Sequence, residues 1–194
     1  VEGDATPAYV YEESPALFKS LSNGKNDILI VSYGEHSIQS IQKSGNALIE
    51  VFSDINEMKS NSLNKSTIVG YSMGGLVARY ALLKAEYSKI EHGMSIYVSL
   101  DSPHKGSQSP VGLQYLTFAT KNQLENLYDD LSDSDLVSKI ASDKLVALEE
   151  AGSMLDETYA RILDNEATQQ MNIFNILDPN NIKPNALYQE LASL

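Results

Sequence analysis

Ser72 is the residue of this sequence whose type and surroundings best fit covalent chemistry. It stands within Gly70-Tyr71-Ser72-Met73-Gly74, a G-x-S-x-G pattern. A serine in that pattern attacks an acyl carbon when it is exposed on a sharp turn between a strand and a helix, and small residues two positions before and after it leave room for so tight a turn. We therefore predict that Ser72 is a nucleophile of acyl transfer and that the Met73 N–H donates to the oxyanion.

The residues on either side of the motif predict the elements that the turn needs. Ser66 to Val69 is a short β-branched run, typical of a buried strand. The apolar residues that follow at helical spacing are Leu76, Val77, Tyr80, Ala81 and Leu83. Gly75 leaves room for that helix to pack closely. A Gly-rich turn that merely packs well is the alternative, but strand, turn and helix all fall where a nucleophile requires them.

A second segment with chemical potential ends the next predicted strand. Met94 to Leu100 is typical of a strand, and Asp101-Ser102-Pro103-His104 follows it. Because carboxyl ends of parallel strands meet at one edge of a sheet, we expect this turn beside Ser72. A serine hydroxyl needs an adjacent base, which His104 would supply if Asp101 oriented its ring. The other interpretation makes His104 a support within the turn, with Lys105 and Ser107 on the loop surface.

Strands and helices alternate in the first half of the chain. Ile28 to Ser32 is typical of a buried strand, and Ile38 to Met58 shows the apolar stripe of an amphipathic helix in which Gly45 is a weak point. Val1 to Asp4 indicates the end of another strand and a turn, with a loop and one short helix from Ala5 to Lys25. This alternation predicts an α/β fold with a parallel sheet.

From Val111 onward the pattern is helical. The predicted helices are Leu116 to Leu131, Leu136 to Glu150 and Met154 to Leu163. This block is either a lid over the Ser72 site or an ordinary bundle on the sheet edge. Ile173 to Leu177 predicts a further short strand, and Pro184 the start of a terminal helix.

The domain prediction is a single domain over residues 1–194, with a sheet core at 1–110, a helical cap-like block at 111–172 and a tail at 173–194. Its 194 residues, 42% of them hydrophobic, suffice for one core. A net charge of -12 argues against nucleic acid and against charge-driven binding to anionic membranes. No apolar run approaches the roughly 20 residues of a transmembrane segment.

The composition also limits metal and redox chemistry. The sequence has no cysteine, which removes disulfides, thiolate metal sites and a cysteine nucleophile. Its histidines are His36, His92 and His104, too few for a histidine-rich site. We expect neither a metal nor a cofactor.

Two motifs together resemble the serine lipase and esterase branch of the α/β-hydrolases. They are Gly70 to Leu82 (GYSMGGLVARYAL) and Leu100 to Ser107 (LDSPHKGS). Bacterial lipases and inositol-deacylase-like proteins in that branch pair a G-x-S-M-G-G turn with a strand ending in Pro-His-x-Gly. The resemblance covers Val1 to about Tyr115. It implies a three-layer α/β-hydrolase-like fold with a lid or cap, hydrolysis of carboxylic or lipid esters, and a secreted or cell-envelope location.

The resemblance also implies roles for individual residues. Val1 to Asp4 would end the third strand, so that an N–H of Gly3 or Asp4 joins that of Met73 in the oxyanion hole. His104 would be a supporting residue of its turn. In the family the triad acid and histidine follow later strands. No histidine follows His104 in this sequence.

Two hypotheses of different class follow. The first is a serine hydrolase of esters, with a thioesterase or acyltransferase as a variant. The second is a non-catalytic α/β-hydrolase-like module for binding or scaffolding. We expect the chain to be an internal piece of a longer hydrolase that lacks the first two strands and associates with its parent chain or with itself. A histidine downstream in the full-length gene would favour the enzyme.

Overall fold

The structure is a computed structural model of the 194-residue chain. It describes residues 12, 15–22, 26–33, 39–59, 66–108, 110–132, 150–154, 156, 159–160, 163–173, 177 and 186–194. The chain forms two compact units, residues 1–37 and 38–194. The prediction of one domain over the whole chain stays a prediction.

The second unit is an α/β arrangement, mostly helical with a small parallel sheet. The first unit holds α1 (Pro15–Leu21), and the described elements of the second unit are, in chain order, α2 (Ile41–Met58), β1 (Ser66–Tyr71), α3 (Met73–Tyr87), β2 (Met94–Leu100), α4 (Val111–Ser132), α5 (Glu166–Met171) and α6 (Ala186–Ser193). The predicted β-α-β order around Ser72 is confirmed.

The first unit contains α1, the short helix expected before residue 25, which begins at Pro15. Residues 26–33 have no regular secondary structure. The predicted buried strand from Ile28 to Ser32 is therefore wrong. A strand is held by a hydrogen-bonded ladder to a neighbour, whereas Leu29 here is 59% exposed.

Strands β1 and β2 pair in parallel, with Gly70 opposite Ser99 and Tyr71 opposite Leu100. Helix α3 connects them and packs on one face of the sheet. The other face is open to solvent in the part of the chain that the structure describes: Val69 is 49% and Ile96 55% exposed. The prediction of buried strands therefore holds for only one face.

Helices α2 and α3 pack where the sequence suggested a weakness. A side-chain carbon added at Gly45 would lie 2.5 Å from Cδ1 of Tyr80, so the absence of a side chain lets the two helices approach closely. Leu48 and Phe52 of α2 are buried beside this contact, as predicted. Met58, at the end of the predicted apolar stripe, is instead 77% exposed.

The terminal helix α6, which lies in the predicted tail, packs against these helices. Leu187 and Leu191 of α6 are buried. The Glu190 carboxylate accepts hydrogen bonds from Tyr80 OH at 3.0 Å and from Gln42 Nε2 at 3.1 Å. Burial and this carboxylate raise the pKa of Tyr80 to about 12. Helix α6 therefore closes the core around α2 and α3.

The helical block is described in part. Helix α4 confirms the predicted helix at 116–131, and residues 150–154 and 159–160 are helical. The helix predicted at 136–150 lies almost entirely outside the described residues. On α4 the polar Gln114 is buried, whereas Leu113 is 52% and Leu116 is 62% exposed. The lid prediction remains a prediction.

The last predicted elements are described only at their edges. Residues 174–176 of the short strand predicted at 173–177 lie outside the described residues, so that strand stays a prediction. Next to it, Ser107 and Asn172 form an isolated parallel bridge. Pro184 lies outside the described residues as well, and the terminal helix is described from Ala186.

Candidate active site

Ser72 stands at the turn between β1 and α3 with φ 50° and ψ −123°. An L-residue adopts such a positive φ only at a cost of about 1–3 kcal/mol, which the surrounding structure must offset. Here the Ser72 N–H donates to the Leu100 carbonyl at 2.8 Å, and the Gly75 N–H donates to the Ser72 carbonyl at 3.1 Å. The predicted strained turn is confirmed, and β2 holds it.

The surroundings of the Ser72 side chain suit a nucleophile. The residue is exposed, and its hydroxyl does not cap α3. Met73 is the first residue of α3, where a backbone N–H has no acceptor within the helix. This N-terminus also carries the partial positive charge of the helix dipole. An exposed hydroxyl thus lies beside a backbone donor, as acyl transfer requires.

The glycines of the motif have different roles. A side-chain carbon at Gly70 would lie 2.5 Å from the Gly75 Cα and 2.6 Å from the Gly74 carbonyl oxygen. At Gly75 it would overlap the Ser102 hydroxyl and lie 2.6 Å from Ser99 Oγ. Nothing described lies within 4 Å of such a carbon at Gly74. Gly70 and Gly75 are therefore required for steric room, whereas no described contact accounts for the room expected at Gly74.

The turn after β2 lies at the same edge as Ser72, as predicted, because the Leu100 carbonyl that precedes it accepts the Ser72 N–H. Later segments hold this turn. Tyr188 OH of α6 donates to the Pro103 carbonyl at 2.8 Å. The Ser107 N–H donates to the Met171 carbonyl at 2.6 Å, so Ser107 is not merely loop surface.

The His104 ring is engaged with the sheet. Its Nε2 lies 2.7 Å from Ser99 Oγ on β2, and its buried Nδ1 has no hydrogen-bond partner among the described residues. Asp101, exposed at φ 48°, therefore does not orient the ring through a hydrogen bond. No described hydrogen bond joins the ring to Ser72. The geometry favours the supporting interpretation over the general base.

The remaining sequence candidates lie elsewhere. His92 accepts from the Met94 N–H at 3.1 Å and shapes the start of β2. His36, Gly3 and Asp4 lie outside the described residues, so the proposed oxyanion loop is not tested. Sequence reasoning missed Tyr97 and Ser99, although their alternation on β2 places both on the face toward α3.

The His104 environment predicts a pH dependence of stability. Burial, and secondarily the Arg79 charge, lowers the pKa of His104 from its ordinary value of 6.5. As the pH falls, His104 therefore binds its proton at a higher pH in the unfolded chain than in the folded chain. This group's contribution to stability is present above pH 6.5 and is lost as the pH falls below it. We expect the free energy of unfolding, measured in urea from pH 7.5 to 5.5, to fall less in His104→Gln than in wild type. Equal slopes would contradict this account.

Some other kinds of site find no support in the described ranges. Those ranges contain no group of His, Asp and Glu side chains that could hold a metal ion. None of their helices is long and apolar enough to cross a bilayer. Among the described residues, the turn at Ser72 is thus the candidate site.

Comparison with known proteins agrees with this geometry. A family model described as PGAP1-like alpha/beta domain matches residues 21–176, more than half of the chain and including both motifs. That family, associated with GPI inositol deacylase, lies within the α/β-hydrolase superfamily. Searches of curated proteins and of solved structures returned no significant match.

Proposed function

Because the chain belongs to the PGAP1-like alpha/beta domain family, we propose that it is a serine hydrolase that cleaves carboxylic esters, with Ser72 as the nucleophile. One observation carries the proposal: Ser72 is exposed at a positive φ between a parallel strand and a helix N-terminus. Strained residues of this kind cluster at active sites, where the surrounding structure offsets their cost.

The proposed reaction passes through an acyl-enzyme. Ser72 Oγ attacks the acyl carbon and forms the new C–O bond while its proton passes to a general base. The Met73 N–H stabilises the oxyanion. The alcohol leaves with a proton, and water then hydrolyses the acyl-enzyme. No described residue hydrogen-bonds to the Ser72 hydroxyl, so this proposal takes the base and its acid partner from residues other than those the structure places at the turn.

The substrate class that we propose is a lipid ester. The family's association with GPI inositol deacylase favours an acyl group carried by the inositol of a lipid. The first half of α4 supports an apolar ligand, because Leu113, Tyr115 and Leu116 are each more than half exposed. In this proposal those residues contact the acyl chain as part of a lid.

A non-catalytic module is the second candidate function. It is favoured by the engagement of His104 Nε2 with Ser99, which leaves Ser72 without a histidine partner among the described residues. Such a module would bind an acylated ligand or another part of a larger protein without cleaving an ester.

Labelling with a fluorophosphonate, followed by peptide mapping, separates the two candidates, because this reagent reacts with activated serines. We expect a single adduct on Ser72, together with hydrolysis of a short-chain p-nitrophenyl ester and of an acyl-inositol lipid. Ser95→Ala is the matched control, because it removes an exposed serine that lies on β2 and not at the turn. This variant should label normally. Binding of the acyl-inositol lipid without labelling or hydrolysis would support the module.

A further inference from the structure

The first turn of α3 is tied to the sheet by a side chain as well as by the backbone. Tyr97 of β2 donates its hydroxyl proton to the Gly75 carbonyl at 2.7 Å. Gly75 is the third residue of α3, and its own N–H donates to the Ser72 carbonyl. Gly75 therefore links the Tyr97 hydroxyl to the Ser72 backbone through two hydrogen bonds.

His104 completes this tie. Its Nε2 lies 3.4 Å from Tyr97 OH and 2.7 Å from Ser99 Oγ, and the Tyr97 and His104 rings meet edge to face with centroids 6.4 Å apart. A hydroxyl has one proton, and Tyr97 gives its proton to Gly75, so toward His104 the Tyr97 oxygen only accepts. The matching tautomer of His104 carries its proton on Nε2.

The buried Nδ1 agrees with that tautomer. It has no hydrogen-bond partner among the described residues. With the proton on Nε2, Nδ1 is an unused acceptor, whereas a second proton would make it an unpaired buried donor close to the Arg79 charge. The contacts therefore favour a ring whose one N–H is on Nε2 and faces Ser99 and Tyr97.

We infer that Tyr97 and His104 are positioning residues for the Ser72 site: together they hold the Gly75 carbonyl against β2 and so set the Met73 N–H relative to the Ser72 hydroxyl. Neither side chain touches the substrate in this scheme. The catalytic consequence rests on the proposed function, but the geometry does not. A misplacement of about 1 Å at a catalytic group costs roughly 100-fold in rate. The Tyr97–Gly75 hydrogen bond should therefore affect the rate more than a hydrogen bond of the same strength elsewhere on α3.

The kinetic test compares two tyrosines. Tyr97→Phe removes the hydroxyl bonded to Gly75 in the first turn of α3, and Tyr80→Phe removes a hydroxyl bonded to Glu190 of α6 instead. In the full chain we expect Tyr97→Phe to lower kcat for the p-nitrophenyl ester roughly tenfold to 100-fold with little change in KM. Tyr80→Phe should lower stability and leave kcat unchanged. Equal kcat values in the two variants would overturn the inference.

A second measurement keeps the inference separate from the proposed function. Backbone 15N–1H NMR should show the Met73 and Gly75 amide signals displaced in Tyr97→Phe and unchanged in Tyr80→Phe, and the wild-type His104 ring should be protonated on Nε2. If the wild-type chain neither labels nor hydrolyses esters, the proposed function fails and these spectra alone decide the positioning role. An unmoved Met73 amide in Tyr97→Phe, or a ring protonated on Nδ1, would overturn it.

Discussion

Replacing Gly70 by alanine is expected to lower the free energy of unfolding by about 3 kcal/mol, the upper end of the usual cost of overpacking. The new methyl carbon would meet the Gly75 Cα at 2.5 Å and the Gly74 carbonyl oxygen at 2.6 Å. Both are backbone atoms of the first turn of α3, so relief requires the helix to move away from β1. The Ser72 turn would move with it, and ester hydrolysis should be lost as well.

Gly74→Ala is the matched control, since it adds the same methyl group on the other side of Ser72. Nothing described lies within 4 Å of the added carbon, and alanine is favoured over glycine in a helix by up to about 1 kcal/mol. We expect urea unfolding of Gly74→Ala to occur at the wild-type midpoint or above it. Comparable losses in the two variants would mean that both glycines are sterically required, as the motif alone suggested.

Ser72→Ala is expected to lower kcat/KM for ester hydrolysis by about 10⁴-fold or more, because removal of a nucleophile disables the whole catalytic unit. The loss should appear equally with the p-nitrophenyl ester and the acyl-inositol lipid, and fluorophosphonate labelling should disappear. Ester hydrolysis that survives in Ser72→Ala would refute the assignment of Ser72 as nucleophile.

Ser72→Gly separates the chemistry of Ser72 from its backbone strain. Both variants lack the hydroxyl, but only glycine adopts φ 50° without a steric cost. Relief of about 1–3 kcal/mol of strain exceeds the roughly 0.5–1 kcal/mol of extra unfolded-state entropy that glycine brings, so we expect Ser72→Gly to be more stable than Ser72→Ala by about 1 kcal/mol. Equal urea midpoints for the two variants would mean that Ser72 is not strained.

The sequence predicted best what depends on neighbouring residues. The segment from Ser66 to Tyr87 contains β-branched residues, then closely spaced glycines, then apolar residues at helical spacing. Each pattern predicts the local structure that the chain adopts there, a strand, a tight turn and a helix. The next strand at Met94–Leu100 was equally readable. Ile28 to Ser32 has a similar apolar composition, yet residues 26–33 form no strand. Strand formation depends on hydrogen bonds to a partner strand, which the composition of one segment does not specify.

The tertiary structure decided which groups meet. The motif placed His104 near Ser72, but the ring turns to Ser99, and Tyr97 reaches Gly75 across 22 positions of sequence. Tyr80 and Glu190, which are 110 positions apart, share a hydrogen bond that brings the terminal helix into the core. Local propensity acts through each residue's own backbone and nearest neighbours, whereas such contacts exist only once helices and strands have packed. The sequence by itself therefore determined the turn that presents Ser72, and packing decided which side chains hold it in place.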